Sequence, residues 1–247
     1  MENFFYHLLG QQNFDFYSTF FDEAFYQLIL NGILWTLGLT IIAAIVGLII
    51  GVIVALIGFI KPTKRTGFLW CMLRGIQIIL KYIASAYVYI IRGTPTTVQV
   101  IFLWTVVCAG VPSEYRIWVG GLAFGINSGA YMSELIRAGI QGIDKGQMEA
   151  GRSLGFTYTQ TMQNIILPQA FKQMLPAFVS EFIVLIKETS IVGYIGGMDL
   201  TRAGNIIISR TYNAAQPLLI VAVCYLLITG TLTLFMKQLE KKLNSKN

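Results

Sequence analysis

The chain has 247 residues, of which 55% are hydrophobic and 12% are charged, and its formal net charge is +6. Soluble domains carry roughly a quarter charged residues, so this composition argues against an ordinary soluble enzyme. A basic balance is also typical of nucleic-acid-binding proteins. Here the positions of the basic residues indicate membrane topology instead, and we expect no nucleic-acid partner.

Long apolar runs predict five membrane spans. The stretch Ala24–Ile60 holds 37 consecutive residues without a charge, and Gly93–Ser113 and Thr211–Met236 are also free of charge. About 20 such residues cross the hydrocarbon core of a bilayer, so each stretch is predicted to be a transmembrane helix. Two further apolar runs, Ile117–Ser133 and Leu175–Gly197, complete the five.

The basic residues indicate the orientation of these spans. Residues 1–60 contain four acids and no Lys or Arg, whereas five basic residues follow between positions 61 and 81. Short loops rich in Lys and Arg stay in the cytoplasm, so the N-terminus is predicted outside and the C-terminus inside, with 13 of the 18 basic residues on the cytoplasmic side. Segment 1–27, which is rich in aromatic residues, is expected to lie along the outer interface.

The long cytoplasmic connection 139–172 is predicted to form two short helices. Asp144 caps the first helix and Gly155 ends it in a left-handed conformation. Thr157 caps the second, and Pro168 halts or kinks it. The expected capping-box partners are Gln147 and Gln160, and the second helix is expected to continue to Leu167.

The letters of this connection carry a motif. Glu149-Ala150-Gly151, then Gly155, then Ile165-x-Leu167-Pro168 follow the pattern E-A-A, three residues, G, nine residues, I-x-L-P. This pattern resembles the cytoplasmic loop of ABC importer permeases, although Gly151 stands where the pattern has Ala. Other segments are similar to the polar amino acid branch of that family: Arg92-Gly93-Thr94-Pro95, Gly142-Ile143-Asp144-Lys145-Gly146-Gln147, Lys187-Glu188-Thr189-Ser190 and Leu200-Thr201-Arg202-Ala203-Gly204.

The resemblance implies an all-α integral membrane protein with the type I importer fold, a single transmembrane domain over 1–247 in a bacterial inner membrane. It implies that the chain imports a polar amino acid by alternating access, without an ATPase site of its own. The implied partners are two ATP-binding subunits, which would hold ATP and Mg²⁺, a second permease copy, identical or similar, and an extracellular or periplasmic amino-acid-binding protein. The residues implied to couple to the ATPase are Glu149, Ala150, Gly151, Gly155, Leu167 and Pro168.

The sequence itself lacks the motif for binding a nucleotide through a P-loop, GxxxxGK[ST]. It also lacks a His, Cys and carboxylate cluster with metal-ligand spacing. We therefore expect no cofactor or metal in this chain.

Polar residues on the third span are the first candidates for a solute path. Asn127, Tyr131 and Glu134 are spaced i, i+4 and i+7, so they share one helix face. Glycines at positions 121, 125 and 129 form the roughly opposite face, which suits close packing against another helix. The alternative for Glu134 is a structural pair with Arg137, three residues later.

The fourth span carries three ionisable residues, Glu181, Lys187 and Glu188. Charged groups at membrane depth are costly unless they are paired or hydrated, so by default they indicate a solute or ion path. The carboxylates suit the ammonium group of an amino acid, and Lys187 suits its carboxylate. The alternative is a buried ion pair that fixes packing or gating.

Arg92-Gly93-Thr94-Pro95 places a helix breaker at the start of the second span. Pro95 removes a backbone hydrogen bond, which favours a hinge or gate. An interfacial Arg followed by an ordinary helix start explains the same letters, because Pro is tolerated in a first turn.

A second function from a different class is a secondary carrier driven by an ion gradient. The intramembrane acids permit it, but five spans without a visible inverted repeat argue against it.

Overall fold

The computed structural model describes residues 24–59 and 68–244, and the regular secondary structure of these residues is entirely helical. The expected interfacial location of segment 1–27 therefore falls almost wholly outside the described residues, as do the basic residues at 61, 64 and 65. The α-helices in chain order are α1 (Phe25–Phe59), α2 (Phe68–Gly93), α3 (Thr96–Phe102), α4 (Arg116–Gln141), α5 (Lys145–Ser153), α6 (Tyr158–Thr161), α7 (Leu167–Glu188), α8 (Leu200–Thr211) and α9 (Ala215–Asn244).

The centre of the fold is a close contact between α1 and α4. The predicted glycine face of α4 packs against α1, and a methyl group added at any of the three glycines would lie within 3 Å of an α1 side chain. The contacts are Gly121 with Ile42, Gly125 with Val46, and Gly129 with Ile50. From one pair to the next, the residue numbers in both helices increase by four, so α1 and α4 run in the same direction.

The helices that flank α4 run in the opposite direction. In α3, Gln99 contacts Asn127, whereas Trp104, farther along, stacks with Arg116 at the start of α4. In α7, Met174 lies against Gly139 near the end of α4, whereas Glu181 reaches Ser128. The order α1, α3, α4, α7 therefore alternates in direction.

Two buried apolar clusters hold these helices together. One joins Leu39 of α1, Val100 of α3, Phe124 of α4 and Leu185 of α7. The other joins the start of α1 to α8 and α9 through Phe25, Ile29, Leu200, Ile207 and Val221. The start of α9 therefore lies beside the start of α1.

Three helices within the described ranges are long and apolar enough to cross a membrane: Phe25–Phe59, Leu69–Gly93 and Ala215–Gln238. The first and third coincide with the predicted first and fifth spans. The predicted third and fourth spans lie on α4 and α7, which do not meet this measure, so the count of five stays a prediction. Leu69–Gly93 was not predicted as a span, because Arg74, Lys81 and Arg92 interrupt its apolar residues.

The predicted second span, Gly93–Ser113, is not one continuous helix, and its helical structure is interrupted at the predicted helix breaker Pro95. Helix α2 ends at Gly93, α3 starts after Pro95, and a wide π-helical turn, Leu103–Val107, follows α3. The break arises because Pro95 has no backbone N–H to continue the α2 hydrogen-bond ladder. The predicted fourth span is likewise not α-helical throughout, since α7 ends at Glu188 and a 3₁₀ helix, Thr189–Ile195, follows it.

Candidate functional site

The break between α2 and α3 is held by one side chain. In a continuous helix the carbonyl of Ile91 would accept a hydrogen bond from the residue at position 95, which is proline. The side-chain amide of Gln99 replaces that donor, with Nε2 at 2.8 Å from the Ile91 oxygen and 3.1 Å from the Thr94 oxygen. Gln99 is a site residue that the sequence analysis did not single out. A signal for it is a Gln one turn after the proline.

Asn127 continues this contact into α4. Its Nδ2 donates to the side-chain oxygen of Gln99 at 2.9 Å, and Asn127 itself is buried. The predicted path residue Asn127 is thus a link between the break and α4. The proposed hinge segment therefore has a fixed geometry in this structure.

The other two residues of the predicted α4 face, Tyr131 and Glu134, lie in a charged cluster. The guanidinium of Arg137 makes two hydrogen bonds to the Glu134 carboxylate, at 2.6 and 3.1 Å. Arg92 lies 3.7 Å from the same carboxylate and 5.3 Å above the Tyr131 ring. The structure therefore contains the predicted pair of Glu134 with Arg137, which was the alternative to a role for Glu134 in the solute path.

This cluster forms one side of a cavity of about 690 Å³ between the ends of α1 and α4 and the helix α2. Lys81 adds a third basic side chain to the lining, and among the described residues Glu134 is the one acid in it. Apolar side chains of α1 and α2 form the rest of the wall, among them Val54, Ala84 and Val88. The cavity is therefore amphipathic and has an excess of two positive charges.

The ionisable residues of α7 lie apart from this cavity. Glu181 is half-buried and accepts a hydrogen bond from Ser128 of α4 at 3.3 Å. Glu188 is half-buried and Lys187 is exposed, and no ion pair joins Lys187 to an acid within the described ranges. The six predicted path residues thus form separate groups, and no structural pair explains Lys187.

The connection between α4 and α7 forms helix α5 much as predicted. Asp144 caps it by accepting from the N–H of Gly146 at 2.6 Å, and Gly155 follows its end with a left-handed φ of 88°. The predicted capping box with Gln147 is absent, because that side chain instead accepts a hydrogen bond from Gln169. Glu149 and Ala150 are exposed, as is Leu154, at 77% of its maximal surface.

Gly151 differs from its neighbours because it is buried inside the connection. A methyl group at this position would lie 2.5 Å from Thr161 Cγ2 and 3.1 Å from Ile165 Cδ1. Gly151 therefore lies inside the connection, whereas Glu149 and Ala150 face outward. The departure from the E-A-A pattern lets α5 pack closely against the segment that follows it.

The second short helix also differs from the prediction. The capping box of Thr157 and Gln160 is present, but α6 ends at Thr161 and a π-helical turn, Met162–Ile166, leads directly into α7. Pro168 follows directly after the π-helical turn, and the chain continues through it into α7. Pro168 therefore does not stop the helix that begins at Tyr158.

A buried carboxylate positions α8 against the start of α1. Asp199 is fully buried and caps α8, accepting from the N–H groups of Thr201 and Arg202 at 2.8 and 3.3 Å. Burial raises the pKa of the Asp199 carboxyl above its usual value, although these donors favour its charged form. The hydroxyl of Thr36 in α1 accepts a hydrogen bond from the backbone N–H of Leu200, the first residue of α8. Asp199 directly precedes Leu200–Gly204, a segment that carries the family resemblance, but its role as a buried cap was not predicted from the sequence.

Comparisons with known proteins agree with this architecture. Residues 67–245 match the family model described as "Binding-protein-dependent transport system inner membrane component". The chain is 37% identical over 240 residues to the arginine transport system permease protein ArtQ of Bacillus subtilis, covering 95% of this chain and all of ArtQ. It is 34% identical over 219 residues to the glutamine transport system permease protein GlnP of Escherichia coli, covering 87% of this chain and 93% of GlnP.

A solved structure gives the same result in three dimensions. A chain from a crystal structure of an amino acid ABC transporter with histidines matches with a TM-score of 0.78 and 37% identity, over 90% of this chain and 98% of that one. The resemblance stated from the loop and its neighbouring segments is confirmed. The chain belongs to the family of ABC importer permeases, the inner membrane components of binding-protein-dependent transport systems.

Proposed function

We propose that this chain is the permease subunit of an ATP-driven importer that moves a polar amino acid across a bacterial inner membrane. The observation that carries the proposal is the nearly full-length match to an arginine and a glutamine permease. Two ATP-binding subunits supply the energy, and ATP and Mg²⁺ bind to them. A second permease copy and an extracellular or periplasmic binding protein complete the transporter.

The alternating directions of the helices support five spans with the two termini on opposite sides, and the distribution of basic residues favours the N-terminus outside and the C-terminus inside. Parallel helices α1 and α4 need one crossing between them, and antiparallel α3 supplies it. With its π turn, α3 spans 12 residues, or about 18 Å, which is shorter than the hydrocarbon core of roughly 30 Å. The end of α2 therefore contributes the remainder of the second span.

Helix α5 is the element that docks on the ATPase. Its exposed face combines a carboxylate, Glu149, with the small Ala150 and the apolar Leu154, which suits a protein partner. Gly155 ends α5, and Leu167 and Pro168 connect it to α7, so a push on α5 moves α7 with it. Gly151 contributes by keeping α5 close to this connection.

The α7 acids, Lys187 and Asn127 of α4 are the groups that hold the solute. Glu181 and Glu188 are half-buried on the helix that α5 moves, and Lys187 beside them is exposed. An amino acid in passage offers an ammonium to the carboxylates and a carboxylate to Lys187. Asn127 lines the same route on α4, and Arg92 to Pro95 form its hinge, whereas Tyr131 and Glu134 belong to the separate charged cluster.

Uptake by vesicles that contain the complete complex tests this proposal. We expect uptake to require ATP on the cytoplasmic side, whereas uptake driven by an ion gradient alone would identify a secondary carrier. Glu149→Lys reverses the exposed charge of α5, and Gly155→Pro is incompatible with a φ of 88°. Each change should lower ATP-dependent uptake about tenfold or more.

The matched control is Glu114→Lys, the same charge reversal on the exposed 3₁₀ turn Ser113–Tyr115, away from α5. We expect this variant to transport and hydrolyse ATP at the normal rate. If both α5 variants kept ATPase binding and substrate-stimulated hydrolysis, α5 would not be the docking helix.

A further inference from the structure

The amphipathic cavity between α1, α2 and α4 has a composition that the transport of an amino acid does not explain. Its volume, about 690 Å³, is in the range of pockets that hold drug-sized molecules, which are much larger than one amino acid. It has a basic cluster on one side and an apolar wall on the other. A ligand that matches both sides carries an anion and an extended apolar part.

The basic cluster has unused capacity for an anion. The Glu134 carboxylate uses both oxygens to bind Arg137, at 2.6 and 3.1 Å. Arg92 is only a distant partner of that carboxylate, at 3.7 Å, and its side chain is 45% exposed. Within the described part of the chain no ion pair involves Lys81. Two positive charges therefore remain for a ligand.

The cavity lies at the depth of lipid headgroups. Helix α1 has 35 residues and is about 52 Å long, so it extends beyond a hydrocarbon core of roughly 30 Å by about 11 Å at each end if it is centred. Val54, Ala55 and Gly58, which line the cavity, lie within about 8 Å of its final residue. In the proposed orientation this end faces the cytoplasm, where basic pockets between helices bind anionic headgroups.

The exposed surface of α2 beside the cavity is also suited to contact with lipid. Helix α2 exposes large apolar side chains along its length, including Tyr82, Ile83 and Ile90, each at least 58% exposed. Tyr89, which lines the cavity, is 81% exposed, and Ser85 beside it supplies a second hydroxyl. Acyl chains can lie on this surface while the phosphate reaches the basic cluster.

We propose that Lys81 and Arg92 bind the phosphate of an anionic phospholipid from the cytoplasmic leaflet. The inference rests on the orientation given with the proposed function. Its ligand chemistry is a phosphate with an apolar tail, and the source is the surrounding membrane. Bound lipid fastens α2 to the ends of α1 and α4 beside the break at Pro95.

Native mass spectrometry of the full-length chain, purified with its associated subunits, tests the proposal. The probes are phosphatidylglycerol, phosphatidylcholine with the same acyl chains, and inorganic phosphate alone. We expect phosphatidylglycerol to bind more tightly than phosphatidylcholine, and Lys81→Gln and Arg92→Gln each to weaken that binding about fivefold. Arg74→Gln, which removes an exposed charge of α2 outside the cavity, should not change it.

Three results would overturn the proposal. One is equal binding of the two lipids, and another is unchanged binding by the Lys81→Gln/Arg92→Gln double variant when it elutes and unfolds as the unmodified protein does. The third is displacement of the lipid by millimolar inorganic phosphate, arginine or glutamine, which would assign the site to a small soluble anion or to the transported solute. No ATP is present, so loss of lipid binding and loss of ATP-driven uptake are separate outcomes.

Discussion

A single missing methyl group determines how α5 packs. Gly151 is buried, and the nearest side-chain atom to a Cβ at that position, Thr161 Cγ2, would be 2.5 Å away. Atoms at that distance overlap, so the side chain or the backbone must move. The Gly at the third position of the motif is thus a packing residue, whereas the neighbouring Ala150 is exposed.

We expect Gly151→Ala to destabilise the protein by about 1–3 kcal/mol, although Ala favours helix more than Gly does. Thr161→Ser removes the nearest methyl group and should restore part of the loss in the double variant. The measurement is the thermal unfolding midpoint of the purified protein. Gly75→Ala on α2 is the matched control, because no atom lies within 4 Å of its added methyl, and it should leave the midpoint equal or higher. A Gly151→Ala midpoint as high as this control would contradict the packing argument.

At the scale of elements, specific side-chain hydrogen bonds hold the break between α2 and α3. The proline removes one donor, and the Gln99 amide supplies another to the same carbonyl at 2.8 Å. Asn127 then ties the amide to α4 at 2.9 Å. The direction of the chain after the break is therefore set by a side chain on one helix and its partner on another.

Removing this junction should loosen both helices. Gln99→Ala leaves the Ile91 carbonyl without its donor, an expected cost of about 1–3 kcal/mol. Asn127→Ala should cost part of the same energy, so the double variant is expected to be less destabilised than the sum of the single variants. Val98→Ala, on the same turn but with an exposed side chain, is the control. Strict additivity in the unfolding measurements would show that the two amides do not act together.

At the scale of the whole molecule, the parallel contact of α1 with α4 organises the fold. Three α4 glycines allow the two backbones to approach, and α3 and α7 pack beside them in the opposite direction. This arrangement predicts that the turn before α4 and the helix α5 lie on opposite sides of the membrane.

Labelling with a membrane-impermeant maleimide checks that prediction. The three free cysteines, Cys71, Cys108 and Cys224, are first replaced by Ser or Ala, and then Glu114→Cys or Arg152→Cys is introduced. We expect the thiol at position 114 to react in intact cells, and the thiol at position 152 to react only after the cells are opened. Labelling of both positions in intact cells would be inconsistent with the proposed topology.

Local features of the fold were predictable where the physics is local. The caps at Asp144 and Thr157 and the left-handed Gly155 follow from hydrogen bonds and backbone conformations within a few residues. The glycine spacing on α4 predicted close packing, though not the partner. Helix α2 was not predicted, because the spans were predicted from apolar runs that contain no charge. A helix with only one apolar face tolerates charged residues such as Arg74 and Lys81 on its other face.

The amino-acid sequence by itself determined the class of protein and the family, because composition and motif letters are properties of the chain order. Only the tertiary structure decided which residues meet: Gln99 with Ile91 and Asn127, Glu134 with Arg137 and Arg92, and Gly151 with Thr161. These contacts depend on how α2, α4 and the segment after α5 pack in space. The spacing of residues along the chain does not predict that packing. Neither the packing role of Gly151 nor the basic cavity could therefore be predicted from the sequence.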